Sequence, residues 1–472
     1  MKIEISNKQF QHKNNNNNLK RGRNMKYFSI ILTIMVTALI GRATEPQTGW
    51  FFDQSTQQAF YIFDAITIDG LVVEGDGGGV DEDEVGISIA DVVTADLERS
   101  GQFRPIDRRA FQQAPEDLQL MPRFVDWRQI NAQFLVVGRV QLQSDGQVRV
   151  EFRLWDVLAG EHLVGLSLST PRENWRRIAH LISDAIYKRV TGEGGYFDTR
   201  IVYVAESGPR DKRVKRLALM DQDGANHRFL TDGKHMALTP RFSPTLQEIT
   251  YLSYFNDKPR VYIYNIDTGK QEVLGDFPTM TIAPRFSPDG NKVIMSMAPN
   301  GNSDIYVMDL RTRVVEKLTN HPAIETAPSY SPDGKHITFE SDRSDKQQIY
   351  VMDADPSGEE QRISWGDGKY ATPVWSPRGD WIAFTNINKG VFSIGVMRPD
   401  GSDERRIAKG YLTEGPTWAP NGRVLMFFRE DQPSDDMAGD VRLYSVDITG
   451  TNEREVITPM DASDPAWSPL IP

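Results

Sequence analysis

The chain contains no cysteine among its 472 residues. Disulfide bonds, thiolate metal sites and a cysteine nucleophile are therefore excluded. Histidine is also scarce: the seven histidines include no pair four residues apart and no His-Glu-x-x-His sequence. We expect His180 to be a structural residue at the edge of a helix, and the sequence predicts no metal site.

A basic surface is lacking as well, because 54 Lys and Arg residues stand against 65 Asp and Glu, a formal net charge of −11. A phosphate backbone repels such a chain, which argues against nucleic acid as a partner. The Gly-x-Ser-x-Gly sequence of serine hydrolases is also missing. Its nearest strings, Gly86-Ile-Ser-Ile-Ala90 and Gly165-Leu-Ser-Leu-Ser169, lack the final glycine. We predict no catalytic residue.

Near the N-terminus, the apolar run Tyr27–Ile40 is fourteen residues long, short of the roughly 20 that a membrane-spanning helix needs. A basic segment at 20–26 precedes it, and a small-x-small pattern ending at Ala43 follows it. These features predict that 1–43 is a low-complexity extension plus a signal peptide cleaved after Ala43, with Met25 as a candidate start. A membrane anchor is the alternative.

One phrase recurs along the second half of the chain. Pro284-Arg-Phe-Ser-Pro-Asp-Gly290 returns as Pro328-Ser-Tyr-Ser-Pro-Asp-Gly334 and as Pro373-Val-Trp-Ser-Pro-Arg-Gly379, with looser copies beginning at Pro240, Pro416 and Pro465. Consecutive copies start 43 to 49 residues apart. Alternating apolar runs follow each phrase, so each unit reads as four short antiparallel strands. A period of this length with several strands per unit indicates a β-propeller.

The last copy of the phrase has no strands after it, whereas the segment from 200 to 231 supplies three strands with no phrase before them. We therefore predict that the C-terminal strand completes the sheet that begins at residue 200. The predicted fold is a two-domain chain, with a six-bladed β-propeller over 195–472 closed by the C-terminal strand.

The N-terminal domain, 44–194, has an α+β pattern. The sequence predicts a helix over Ile87–Ser100, followed by three strands over Phe134–Gln143, Val148–Asp156 and Leu163–Ser169. A capping box at Thr170 then predicts a helix that continues to about Val190. Helices on one face of a largely antiparallel sheet give an α+β domain.

An acidic, glycine-rich stretch occupies 75–84. It could be a phosphate-binding or calcium-binding loop, but it lacks the lysine of the former and the ligand spacing of the latter. A solvated surface loop is the favoured interpretation.

The residues just before each repeated proline are expected to line one mouth of the central channel. Six short loops that converge there would form a protein-docking surface, although they could also be merely loops. These residues are Thr239, Ala283, Thr326, Ala327, Thr372, Glu414 and Asp464.

From about Ile87 to Pro472 the chain resembles the TolB family, the periplasmic component of the bacterial Tol–Pal envelope system. The resemblance includes Ala95–Phe103, Val136–Val140 and Asp198–Tyr203, together with the repeat and the terminal Pro-Ala-Trp-Ser-Pro. It implies a non-enzymatic periplasmic adaptor with no cofactor. The alternative is an exported propeller enzyme or a saccharide-binding protein with the same repeat.

The resemblance also implies partners. Family members bind the lipoprotein Pal at the channel mouth and TolA through an extended N-terminal segment, and they support outer-membrane invagination at cell division. The loop Phe277–Pro284 matches the family's Pal-contacting loop at its flanking Phe-Pro and Ala-Pro, so Met280 within it joins the channel-mouth residues as an expected Pal contact. Met280 departs from the His of other members, which weakens that single contact. Phe51, Phe52 and Phe60 are the expected TolA contacts by position alone. Other Tol or outer-membrane proteins are further expected partners.

Overall fold

The computed structural model describes residues 63–68, 72–73, 80–113 and 122–472, except for 210–211, 256–257, 276, 278–280, 356–357 and 434–438. The expected signal peptide lies outside the described residues, as do four of the expected contact residues: Phe51, Phe52, Phe60 and Met280.

A mixed sheet forms the centre of the N-terminal domain. Its strands, in spatial order, are β3 (Phe103–Pro105), β1 (Phe63–Ile68), β4 (Phe134–Leu142), β5 (Gln147–Asp156) and β6 (Glu161–Pro171), with β2 (Val72–Val73) also paired to β4. The pairs β4–β5 and β5–β6 are antiparallel, but β1–β3, β1–β4 and β2–β4 are parallel. The prediction of a largely antiparallel sheet is therefore wrong for its first half. Parallel neighbours need a crossover, and a helix supplies it here.

That helix, α1 (Val80–Arg99), begins seven residues before the predicted start at Ile87. The segment 80–84 is accordingly helical, and the prediction of a surface loop there is wrong. The sequence of this first turn is acidic, and negative charge near a helix N-terminus is favoured by the helix dipole. Ile89 and Leu97 of this helix are fully buried.

The described part of this domain contains two further α-helices, α2 (Phe124–Gln129) and α3 (Trp175–Thr191). The capping-box prediction is wrong, because Thr170 still pairs with Val148 in the sheet and a 3₁₀ turn over Arg172–Asn174 precedes α3. Helices α1 and α3 pack together on one face of the sheet. The other face carries a smaller core around Trp127 of α2.

Within the described residues, the second half of the chain forms six four-stranded antiparallel sheets. The first three are formed by β10 (Ala237–Phe242), β11 (Glu248–Phe255), β12 (Lys258–Asn265) and β13 (Gln271–Val273); by β14 (Thr281–Phe286), β15 (Lys292–Met297), β16 (Asp304–Asp309) and β17 (Val315–Lys317); and by β18 (Glu325–Tyr330), β19 (His336–Ser341), β20 (Gln348–Asp353) and β21 (Gln361–Arg362).

The next three sheets follow the same order. They are formed by β22 (Lys369–Trp375), β23 (Ile382–Asn388), β24 (Val391–Met397) and β25 (Arg405–Gly410); by β26 (Leu412–Trp418), β27 (Val424–Glu430), β28 (Val441–Asp447) and β29 (Arg454–Val456); and by β30 (Asp461–Trp467), β7 (Arg200–Ser207), β8 (Val214–Asp221) and β9 (Arg228–Phe229). In the last sheet the final strand of the chain pairs with the first strand of the segment.

The strands that carry the repeated phrase are the innermost ones, and we call β10, β14, β18, β22, β26 and β30 the inner strands. Each contacts the inner strand of the next sheet, and β30 contacts β10, so that the contacts form a closed cycle. The aromatic residues of the phrase, such as Phe286, Trp375 and Trp418, belong to cores that join neighbouring sheets. The cycle of inner strands therefore surrounds a central channel.

The two domains share one continuous core. A single buried cluster contains Ile89 and Ile182 of the N-terminal domain together with Met426 and Leu443 of the propeller. Trp467 of β30 also donates a hydrogen bond from Nε1 to Oγ1 of Thr199 in the connecting segment, 2.9 Å away.

Candidate functional site

Every inner strand contains a β-bulge at the same place, immediately around its repeated proline. The residue before that proline has a positive φ in each case: Thr239 (48°), Ala283 (51°), Ala327 (53°), Thr372 (48°), Gly415 (67°) and Asp464 (48°). Only the glycine adopts this conformation without strain; for each of the others it costs on the order of 1 kcal/mol. A bulge re-aims the neighbouring side chains, and here it does so around the channel.

One sector of the channel is acidic. Glu414 is the last paired residue before the bulge of β26, and Asp464 lies inside the bulge of the neighbouring strand β30. Both residues are partly buried. Burial, together with the negative charges of Asp464, Glu340 and Glu430, raises the pKa of Glu414 to about 8. Burial likewise raises the pKa of Asp464 above its usual range. The sector is therefore less ionised at neutral pH than its composition indicates.

Glu340 of β19 links two inner strands. Its carboxylate accepts a hydrogen bond from the hydroxyl of Thr326 at 2.5 Å and another from the backbone N–H of Thr372 at 2.8 Å. It is 4% exposed, and burial raises its pKa despite both hydrogen bonds. Thr326 itself is 3% exposed, so it supports the channel wall rather than offering its side chain to a partner.

The neighbouring sector of the channel is basic. Arg241 of β10 and Arg285 of β14 each follow a repeated proline directly. Burial lowers the pKa of both guanidinium groups, and the charge of Arg241 lowers that of Arg285 further.

The predicted mouth residues that the structure describes all lie on inner strands, at or next to the bulges. Thr239, Ala283, Ala327 and Thr372 are partly exposed, and Oγ1 of Thr239 is a buried atom with no hydrogen-bond partner in the described part of the chain. Sequence reasoning did not identify Glu340, Arg241 or Arg285 as channel residues. The sequence feature that could have identified them is a charged side chain within a predicted strand of the repeat.

A second charged cluster lies where the domains meet. His180 of α3 and Asp96 of α1 are bonded between Nδ1 and Oδ2 at 2.7 Å, and Gln222 of the propeller donates to the other oxygen of Asp96 at 2.9 Å. The prediction that His180 lies at the edge of its helix is wrong, since it is 3% exposed. Burial alone would lower its pKa, but Asp96 and, to a lesser degree, Asp223 and Asp221 raise it to about 9.

Asp96, His180 and Asp223 place potential ligand atoms within 4.8 Å of one another. Asp223 is already paired with Arg176, and His180 with Asp96. The charges of the cluster are therefore balanced by protein groups, and we interpret it as a contact that holds the two domains together.

In the part of the chain that the structure describes, no helix combines the length and apolar composition of a membrane span.

Comparison with known proteins decides the family. A model of the TolB beta propeller domain matches residues 187–471, and a model of the TolB amino-terminal domain matches 65–163. The chain belongs to the TolB family. The Tol-Pal system protein TolB of Paramagnetospirillum magneticum is 63% identical over 398 residues, which cover 84% of this chain and 89% of that protein.

Among solved structures, the crystal structure of TolB from Acinetobacter baumannii matches with a TM-score of 0.74 and 27% identity. The match covers 86% of this chain and 97% of that one. The TolB family thus accounts for both domains and for their order along the chain.

Proposed function

We propose that this chain is a non-enzymatic adaptor of the Tol-Pal system in the periplasm. The observation that carries the proposal is the 63% identity to a Tol-Pal system protein TolB across nine-tenths of that relative's length. The partly exposed residues at the inner-strand bulges support the proposal, because loops that converge on one concave channel are suited to docking a partner.

In this proposal the six sheets are the blades of one ring, closed by the C-terminal strand. The antiparallel pairing of β30 with β7 and the contact of β30 with β10 support this closure. In a closed ring every sheet has a neighbour on both sides, so the sheets do not separate at an open end. The bulges are then held in fixed positions around the channel.

The channel mouth is the proposed site for the lipoprotein Pal. Ala283 and Thr239 would contact the partner directly, while Thr326 would act by positioning Glu340 and the strand beside it. TolA is the proposed partner of the N-terminal segment that contains Phe51, Phe52 and Phe60. Through these two contacts the protein would support outer-membrane invagination at division and envelope integrity.

Calorimetric titration of the chain from Thr44 with the soluble domain of Pal from the same genome tests the proposal. We expect saturable one-to-one binding that Ala283→Val and Thr326→Ile weaken while the protein stays folded. Ala110→Val, an exposed substitution on the N-terminal domain, is the matched control and should bind normally. The absence of heat with both proteins folded would overturn the adaptor proposal and redirect attention to a small ligand of the channel.

A further inference from the structure

Arg285 is a cation without a counter-ion. Within the described residues its guanidinium group has no ion-pair partner and no hydrogen bond; its Nε atom is buried, and the residue as a whole is partly exposed. The charged group that acts on it most is Arg241, which repels it. Taking an ionised group out of water without a partner is costly, because nothing replaces the lost hydration.

Arg241 is only partly compensated. Its Nη1 donates to the carbonyl oxygen of its own neighbour Pro240 at 2.6 Å, and its Nε is buried with no partner in the described residues. Asp464 on the neighbouring strand β30 attracts it, but within the described residues the two do not form an ion pair. Of the two arginines, Arg285 thus has the greater unmet need for an anion.

The two arginines hold equivalent positions on neighbouring inner strands. Arg241 lies opposite Thr250 and Arg285 opposite Ile294, in each case just after the bulge. The corresponding positions on the other four inner strands are uncharged: Ser329, Val374, Thr417 and Ala466. At this position of the inner strands, positive charge therefore occurs only on the neighbouring strands β10 and β14.

The same propeller does supply carboxylates to an arginine elsewhere. Arg343 is 14% exposed in its side chain and pairs with both Glu325 and Glu360. The fold can therefore neutralise a half-buried guanidinium group with its own residues, and at Arg285 it does not.

We propose that Arg285, assisted by Arg241, binds a carboxylate group carried by an acidic side chain of the protein that docks at the channel mouth. A guanidinium group presents a planar pair of N–H donors that fits a carboxylate and balances its charge, and a second guanidinium nearby adds to the attraction. The occupant is a protein side chain because Arg285 is two residues from Ala283, on the same bulged strand that forms the proposed docking surface. This inference rests on the proposed function.

Arg285→Met tests the inference, because methionine keeps much of the side-chain length and removes the charge. Arg311→Met, at an exposed turn between β16 and β17, removes the same charge away from the channel and is the matched control. Melting temperatures are measured in sodium chloride and in sodium acetate of equal ionic strength. Affinity for the soluble domain of Pal is measured by calorimetric titration.

We expect Arg285→Met to melt at a higher temperature than the unsubstituted protein in chloride, since an uncompensated cation is gone. Acetate should raise the melting temperature of the unsubstituted protein and of Arg311→Met, but not of Arg285→Met. The affinity for Pal should fall by about tenfold or more in Arg285→Met and stay constant in Arg311→Met. Arg241→Met should also raise the melting temperature and lower the affinity for Pal. Its gain in melting temperature should be smaller, because Asp464 already attracts Arg241.

A lower melting temperature for Arg285→Met in chloride, with no effect of acetate on any form, would overturn the inference and make Arg285 a structural residue. A specific effect of acetate with unchanged affinity for Pal would limit the site to small anions and overturn the assignment to a protein side chain. If the unsubstituted protein does not bind Pal, the proposed function fails, whereas the acetate measurements still decide whether the anion site exists.

Discussion

Buried charges occupy two regions of this molecule, and they are arranged in opposite ways. Where the domains meet, Asp96 pairs with His180 and Asp223 pairs with Arg176. Around the channel, burial and the charge of Asp464 raise the cost of ionising Glu414, and the charge of Arg241 repels that of Arg285. The first region uses charge to hold parts of one chain together. The second leaves charge unbalanced, which is the state expected of a surface that a partner completes.

The comparison also separates two consequences of substitution. Removing one member of a balanced buried pair leaves the other uncompensated and lowers stability. Removing a member of a like-charged group relieves repulsion and raises stability. Substitutions that remove a charge in the two regions should therefore change the free energy of unfolding in opposite directions.

The largest effect is expected for Asp96→Asn at the domain contact. The substitution removes the carboxylate that stabilises the buried imidazolium of His180, and Arg99 loses its ionic partner, although the amide oxygen can still accept a hydrogen bond from Gln222. We expect the free energy of unfolding to fall by about 3 kcal/mol, measured by urea denaturation. Asp91→Asn on the same helix removes only an exposed pair with Arg108 and should cost about 0.5 kcal/mol or less. Equal effects of the two substitutions would contradict the difference between a buried and an exposed pair.

The pH dependence of stability is the second prediction. The pKa of His180 is raised from 6.5 to about 9 in the folded protein. Its stabilising contribution is therefore complete below pH 6.5 and is lost as the pH rises through about 9. Urea denaturation of the unsubstituted protein and of His180→Gln, between about pH 6 and pH 10, should show a difference that shrinks by about 2–3 kcal/mol across that range. A difference independent of pH would show that His180 is neutral.

Glu414→Gln in the channel is expected to act in the opposite direction. Because the pKa of Glu414 is raised from 4.5 to about 8, the folded protein is penalised for this carboxyl as the pH rises above 4.5. The substitution should raise the free energy of unfolding by about 1–2 kcal/mol at neutral pH, discounted for the solvent that still reaches the side chain. The gain should disappear below pH 4.5, where the carboxyl is protonated in both states. Lower stability at neutral pH would mean that Glu414 has a stabilising partner.

The smallest effect is expected for Thr326→Val. This substitution keeps the shape of a buried side chain and removes the hydroxyl that donates to Glu340. The carboxylate would retain the backbone N–H of Thr372 as a donor. We expect a loss of about 1 kcal/mol in thermal or urea denaturation. At the exposed Thr268, whose hydroxyl bonds only within its own turn, a valine should change stability by less.

The sequence predicted the propeller strands well because its signal is local and periodic. The three strands predicted between 200 and 231 are β7, β8 and β9, and the alternating runs after each phrase fall on second and third strands. It failed where a segment's conformation depends on distant partners. The strands β1 and β2 have no alternating pattern of their own that sets them apart, and they are placed by parallel pairing with β4 across more than sixty residues.

The sequence by itself determined that the second half of the chain forms antiparallel sheets, that these sheets repeat, and which positions precede each repeated proline. Hydrophobic alternation and turn residues carry this information because they act over a few positions. What only the tertiary structure decided was which charges meet. Asp96 and His180 are 84 positions apart, and Arg241 and Arg285 come from different sheets. The cost or benefit of each charge depends on the water and the countercharges around it, and both are fixed only when the sheets and helices have packed.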